Sequence, residues 1–352
     1  MSEAANPAAL RCPAPLDPTD RVQLGHGSGG RLSAQLVARH FLPHFDNPAL
    51  AQLGDASIVR VAAGEVAIST DSFVVQPIEF PGGNIGSLAV HGTLNDVAMM
   101  GARAVCLTAG FVLEEGLSLA VLDRVIAAMA GAARDAGVPI VAGDTKVVER
   151  GKADGLYINT TGLGLIDPGF RPAPSRARPG DAILVTGQIA RHGMAIMAAR
   201  EGLSFESAIT SDSASLAPLV DLLRTAAPDV HVLRDPTRGG VASALNEIAA
   251  SSDVGIEIDE PALPVPEDVR AACEMLGLDP LYVANEGVMV VFVPEAQADD
   301  ALGALRTHPL GAAAVRLGRV VAAHPRIVAL RTALGSTRVV DVLPGDQLPR
   351  IC

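Results

Sequence analysis

The stretch Pro168 to Gly180 carries four prolines, and no helix or central strand can run through it. Each proline removes a backbone donor and disfavours helix for the residue before it. A 352-residue chain exceeds one typical domain, so this stretch is read as a linker between two. The expected organisation is an N-terminal domain over 21–167, the linker over 168–180 and a C-terminal domain over 181–333. An Ala/Pro-rich extension over 1–20 is expected to be disordered, and a flexible tail to cover 334–352.

Apolar patterning places strands at Val66 to Thr70, Val105 to Leu113, Val138 to Ala142 and Tyr157 to Ile166 in the first half. Helices fall at Ile85 to Met100 and Leu119 to Ala136, stopped by Gly101 and Gly137. The strand at Val138 is expected to break at Gly143-Asp144-Thr145-Lys146. In the second half strands are expected at Ala182 to Thr186, Val230 to Leu233 and Val288 to Val293. Helices are expected near Met194, Leu219, Leu245 and Val269, and short elements end the domain by about Arg331. Neither half alternates strand and helix regularly, so the class is α+β rather than a Rossmann sheet. Hydrophobic residues make up 49% but aromatics only 3%, so Ala, Val, Leu and Ile must build the core, with 35 glycines allowing close backbone approach.

A net charge of −12 excludes the electrostatic footprint of a nucleic-acid or anionic-lipid binder. An acidic protein that handles polyphosphate needs divalent cations to mediate the contact. Asp55, Asp71, Asp96 and Asp235 stand at strand ends, on a helix or in loops, where hard oxygen ligands suit Mg²⁺. Aspartates also favour such places for purely local reasons. Gly27-Ser28-Gly29-Gly30 can offer backbone N–H groups to phosphate or serve as a plain turn; without a following Gly-Lys-Ser/Thr it is no P-loop. Lys146, beside Asp144, supplies a cation for a phosphate or a developing oxyanion, or a solvated surface charge.

The cysteines at 12, 106, 273 and 352 show no paired metal-ligand or disulfide spacing. Cys106 and Cys273 read as buried packing thiols. Cys352 ends Pro349-Arg350-Ile351-Cys352, after an arm holding Pro344, Gly345 and Pro349, and a thiol there can travel as far as the arm reaches. A prenylation motif would need its Cys four residues from the end. The start lacks signal-peptide character and no run of about 18 apolar residues occurs, so a soluble cytoplasmic protein without membrane contact is expected.

Taken in order, Gly27-Ser28-Gly29-Gly30, Asp55, Thr70-Asp71-Ser72-Phe73, Asn95-Asp96-Val97-Ala98-Met99-Met100-Gly101-Ala102, Gly143-Asp144-Thr145-Lys146, Arg234-Asp235-Pro236-Thr237-Arg238-Gly239-Gly240, Asn285-Glu286-Gly287 and the final Pro-Arg-Ile-Cys resemble the HypE family of hydrogenase maturation proteins. That family is the carbamoyl dehydratase branch of the aminoimidazole ribonucleotide synthetase and selenophosphate synthetase superfamily. The resemblance runs from about Gly25 to Cys352 and implies a homodimer whose first-domain sheets pair into a barrel. It implies ATP and Mg²⁺ in a cleft between the domains, and a mobile C-terminal tail. Cys352 would receive a carbamoyl group from the carbamoyltransferase HypF, and ATP-driven dehydration would convert it to a thiocyanate. A HypC–HypD complex would then take the cyanide for the iron of [NiFe]-hydrogenase.

By motif match, Gly27, Ser28, Gly29, Gly30, Asp71, Asn95, Asp96, Asp144, Thr237 and Arg238 would bind nucleotide. Asp55, Asp71, Asp96 and Asp235 would hold metal, while Cys352, Lys146 and Glu286 would act in catalysis, Glu286 as the base. Selenophosphate synthetase is the nearest rival, but Cys12 is followed by Pro13-Ala14-Pro15 and has no adjacent Lys. A non-catalytic scaffold that only docks partners is the other class of reading.

Overall fold

A computed structural model describes residues 20–23, 26, 35–45, 47, 64–202, 209–342 and 351–352. Asp55, the glycines at 27–30, Cys12 and residues 343–350 of the expected tail lie outside them. In chain order the first half forms β1 (Val66–Phe73), β2 (Glu79–Phe80), β3 (Gly83–Asn84), α1 (Ile85–Met99), β4 (Ala102–Glu114), α2 (Leu119–Asp135), β5 (Ile140–Val148) and β6 (Leu156–Ile166). Four of these strands make one sheet in the order β1-β6-β4-β5, with only the β4–β5 pair parallel. Among the described residues the sheet is open, with β1 and β5 at its edges.

The start of α1 is set by Asn84, whose side chain accepts the N–H groups of Gly86 and Ser87 while Ser87 Oγ accepts the Asn84 N–H. The helix is apolar on nearly all sides and buries most of its residues, as a central helix must. Glycines on β6 let it lie close: a Cβ at Gly164 would stand 2.4 Å from Val97 Cγ1. The strand beginning near Val138 does not break at Gly143. It continues to Val148, and a Cβ at Gly143 would meet the Ala109 carbonyl at 2.8 Å. The glycine serves close approach to β4 rather than a turn.

The expected linker is packed. Phe170 is buried beside Ala98 and Met99, and the Arg224 guanidinium lies 4.7 Å from its ring centroid. Beyond it come β7 (Asp181–Val185), α3 (Arg191–Glu201), α4 (Ala217–Ala226), β8 (Val232–Arg234), α5 (Gly240–Ser252), β9 (Gly255–Asp259), α6 (Glu267–Leu276), β10 (Val290–Pro294), α7 (Ala298–Leu305), β11 (Val315–Val321), β12 (Val328–Arg331) and β13 (Thr337–Val340). These strands form a sheet in the order β13-β12-β9-β11-β7-β10-β8. Its β12–β13 hairpin carries the sheet to Val340, past the expected end near Arg331 and into the span read as tail.

The chain end is also not free. Ile351 is 4% exposed within the N-terminal core cluster, and the Cys352 carbonyl accepts the Val74 N–H at 3.3 Å. Cys106 and Cys273 are both buried, as expected. No helix among the described residues is long and apolar enough to cross a membrane.

Candidate active site

Both domains contribute carboxylates to one interior region. Asp71 lies on β1, Asp96 on α1, Asp235 follows β8 and Glu286 precedes β10. Asn95 and Asp96 are adjacent on a helix, so they point about 100° apart. Asp96 turns toward β1 and accepts the Ser69 hydroxyl at 2.6 Å. Asn95 turns the other way and is used structurally: its amide donates to the Ala214 carbonyl at 3.0 Å, and its oxygen accepts the Leu216 N–H at 2.8 Å. These bonds tie the two domains together.

Burial and like charge act together on the acids. Asp235 is 3% exposed, and burial, reinforced by Asp96 and Asp71 against the opposing pull of Arg234, pushes its carboxyl up to about 7. Glu286 is 2% exposed; burial first, then Asp235, Asp212, Asp71 and Asp96, hold it well above the usual carboxylate range. Asp71 is raised by burial and by Asp96, while the Ser72 N–H and Arg238 work the other way. Glu286 therefore favours its neutral form in the unliganded chain, although a base must shed that proton.

Glu286 Oε1 is buried without a hydrogen-bond partner among the described residues. A Cβ at Gly92 would come within 2.9 Å of the Phe73 ring, so the glycine leaves room for that ring, with Glu286 Oε2 in ordinary contact distance at 3.8 Å. Among the described residues no three His, Cys, Asp or Glu side chains are arranged to hold a metal ion on their own. The donor chemistry nonetheless fits a hard divalent cation: Asp71, Asp96 and Asp235 are oxygen donors whose mutual repulsion such an ion relieves. Mg²⁺ usually completes its shell with phosphate oxygens and water.

The remaining expected residues are spread more widely. Thr237 and Arg238 sit in the turn before α5, with Arg238 exposed and close enough to act on Asp71. Lys146 and Asp144 are exposed on β5 and paired with each other at 2.9 Å. β5 and β1 are opposite edges of the sheet, about 14 Å apart over three strand spacings, and the register sets Gly143, three residues before Lys146, at the level of Asp71. The single chain does not bring Lys146 to the carboxylates.

Sequence reasoning missed Asp212. Its carboxylate accepts the N–H groups of Glu286 and Gly287, and burial lifts it to about 6 against those bonds. Its only local mark is an acid inside Thr210-Ser211-Asp212-Ser213, which is unremarkable as a polar loop.

Two family matches span most of the chain: AIR synthase related protein, N-terminal domain, over residues 53–166, and AIR synthase related protein, C-terminal domain, over 178–329. The carbamoyl dehydratase HypE of Cupriavidus necator is 54% identical over 333 residues, covering 94% of this chain and 95% of the relative. A crystal structure of hydrogenase maturation protein HypE in complex with ATP superposes with a TM-score of 0.90 at 52% identity, covering 94% of this chain and 99% of that one. The HypE of a HypE–HypF complex matches at a TM-score of 0.77 and 45% identity, over 88% of this chain and 99% of that one. With this two-domain α+β fold and these carboxylates, the chain belongs to the HypE family of carbamoyl dehydratases among the AIR synthase related proteins.

Proposed function

We propose that this chain carries a carbamoyl group on the Cys352 thiol and dehydrates it at the expense of ATP, forming the cyanide ligand used in [NiFe]-hydrogenase maturation. The observation that carries the reading is the seat of the chain end. The Cys352 carbonyl is bonded to Val74, only three residues from Asp71, or about 10 Å along extended backbone. In this reading a thiocarboxamide on that thiol is worked on by the shared carboxylates.

The amide oxygen is a poor leaving group. Its attack on the γ-phosphorus expels ADP, and the oxygen then departs as phosphate. Loss of the two N–H protons closes the C≡N bond, so the thiocarboxamide and ATP give thiocyanate, ADP and phosphate. Glu286 takes an N–H proton; a carboxylate with a raised pKa is a stronger base once ionised. Arg238 and Thr237, with the glycines at 27–30, contact the nucleotide, and Lys146 offsets charge on the carbamoyl oxygen or γ-phosphate. Asp71, Asp96 and Asp235, with Asp55, would hold Mg²⁺, which offsets phosphate charge.

A homodimer is part of the reading, because a second chain is what can bring a β5 edge to a β1 edge. HypF is the proposed carbamoyl donor, supported by the relative solved with it, and a HypC–HypD complex the acceptor, in the cytoplasm. Intact mass after incubation with the carbamoyltransferase, carbamoyl phosphate and ATP–Mg²⁺ tests this. The expected species is a carbamoyl adduct on Cys352 that loses one water only with ATP, absent in Cys352→Ala. An adduct that never dehydrates would reduce the protein to a passive carrier.

A further inference from the structure

The chain end is held by a histidine whose protonation pattern is fixed by its surroundings. His192, fully buried on α3, places Nε2 2.8 Å from the Ile351 carbonyl and Nδ1 2.8 Å from Ser211 Oγ. A carbonyl only accepts, so Nε2 carries the proton and Nδ1 accepts the Ser211 hydroxyl. Ser211 Oγ in turn accepts the Ser213 N–H at 3.1 Å, and the Ser211 N–H donates to the Pro81 carbonyl at 2.8 Å. The order of donors therefore runs from Ser213 through Ser211 and His192 to Ile351. Burial depresses the imidazole to about 4, so the ring is neutral at physiological pH and keeps this arrangement. The Phe80 ring meets it edge-on at 5.6 Å and walls the slot.

The slot is built to one shape. A Cβ at Gly82, which has φ +95°, would lie 2.8 Å from the Ser211 nitrogen. One residue along, Asp212 holds the Glu286 backbone, so the loop that sets the histidine also sets the acid.

We infer that His192, locked by Ser211, is a positioning residue for the reaction: it anchors the Ile351 carbonyl and so fixes the Cys352 thiol for dehydration. This rests on the reading of Cys352 as the carrier. It assigns to His192 no contact with the reacting atoms.

The test uses the full chain and two readouts. The first is the rate at which a small maleimide alkylates Cys352, followed by peptide mass without nucleotide, which does not depend on any dehydratase activity. His192→Leu removes the donor, while the amide of His192→Gln retains both an N–H and an acceptor. Several-fold faster alkylation in His192→Leu, with His192→Gln near wild type and Ser211→Ala between them, is expected. Equal rates in all four proteins would overturn the anchor. The second readout is single-turnover dehydration of carbamoylated protein, expected to fall at least about tenfold in His192→Leu with nucleotide affinity close to wild type, and to stay near wild type in His192→Gln. Dehydration that persists unchanged while alkylation accelerates would overturn the positioning role. A wild-type protein that is carbamoylated but never dehydrates would count against the dehydratase reading alone, because the alkylation series still decides the anchor.

Discussion

The Asp212 carboxylate accepts the backbone N–H of Glu286 at 3.2 Å and that of Gly287 at 3.0 Å, so an acid outside the sequence motifs sets where the Glu286 side chain begins. Asp212→Ala would leave two buried donors unpaired at about 1–3 kcal/mol each. The expected outcome is a lowered thermal midpoint together with at least about tenfold slower dehydration and little change in nucleotide affinity, measured by calorimetry, single turnover and equilibrium binding.

Gly287 should tolerate no side chain. Its Cβ would fall 1.7 Å from the Asp212 carbonyl oxygen, which is backbone and cannot rotate aside. Gly287→Ala is expected to cost about 1–3 kcal/mol in chemical denaturation and to abolish dehydration along with the Asp212 contacts.

Removing charge from the buried acids should trade activity for stability. Asp235 ionises near 7 in the fold, well above a free carboxyl, so above about pH 4 the folded state resists losing its proton and stability declines as pH rises through 7. Asp235→Asn is therefore expected to raise the unfolding free energy at pH 8 in the absence of nucleotide and Mg²⁺ by about 1–3 kcal/mol, seen as a higher thermal midpoint, and to abolish ATP-dependent dehydration.

His91, half-buried, and His192, fully buried, give the opposite slope. Burial lowers both His91 and His192 to about 4, so each stabilises the fold fully above about pH 6.5 and loses that contribution as pH falls toward 4. A urea titration series from pH 7.5 to 4.5 should show a shallower loss of stability in His192→Gln than in wild type. An identical slope would show that the ring does not titrate in this window.

Lys146 offers the cleanest separation of catalysis from stability. Its ammonium is largely exposed and pairs with Asp144, itself exposed, and surface pairs of this kind contribute about 0–1 kcal/mol. Lys146→Ala is expected to leave the thermal midpoint in place and to slow dehydration by about tenfold or more, as loss of one charge-stabilising group does elsewhere.

Much of this architecture was legible in the chain. Apolar periodicity located α1 and α2 almost to the residue, because Asn84 and Gly101 mark the ends of α1 by local chemistry. The motif acids Asp71, Asp96, Asp235 and Glu286 do act on one another in the structure. Gly143 was misread because a glycine that permits close strand approach looks, in sequence, like one that turns the chain. The strand β13 escaped notice because most of it is exposed and so lacks an apolar face. Asp212 and His192 left no trace because their partners lie 74 and 159 residues away, and no local pattern encodes contacts at that range.

Half of the acidic set belongs to each domain, with Asp71 and Asp96 before the proline-rich connection and Asp235 and Glu286 after it. The connection looks like a natural place to cut, yet neither piece could inherit the chemistry alone. A hybrid joining one half of this chain to the other half of a superfamily relative would have to recreate the charge balance across the seam as well as the packing. The residues facing the seam are therefore expected to change in concert rather than one side at a time.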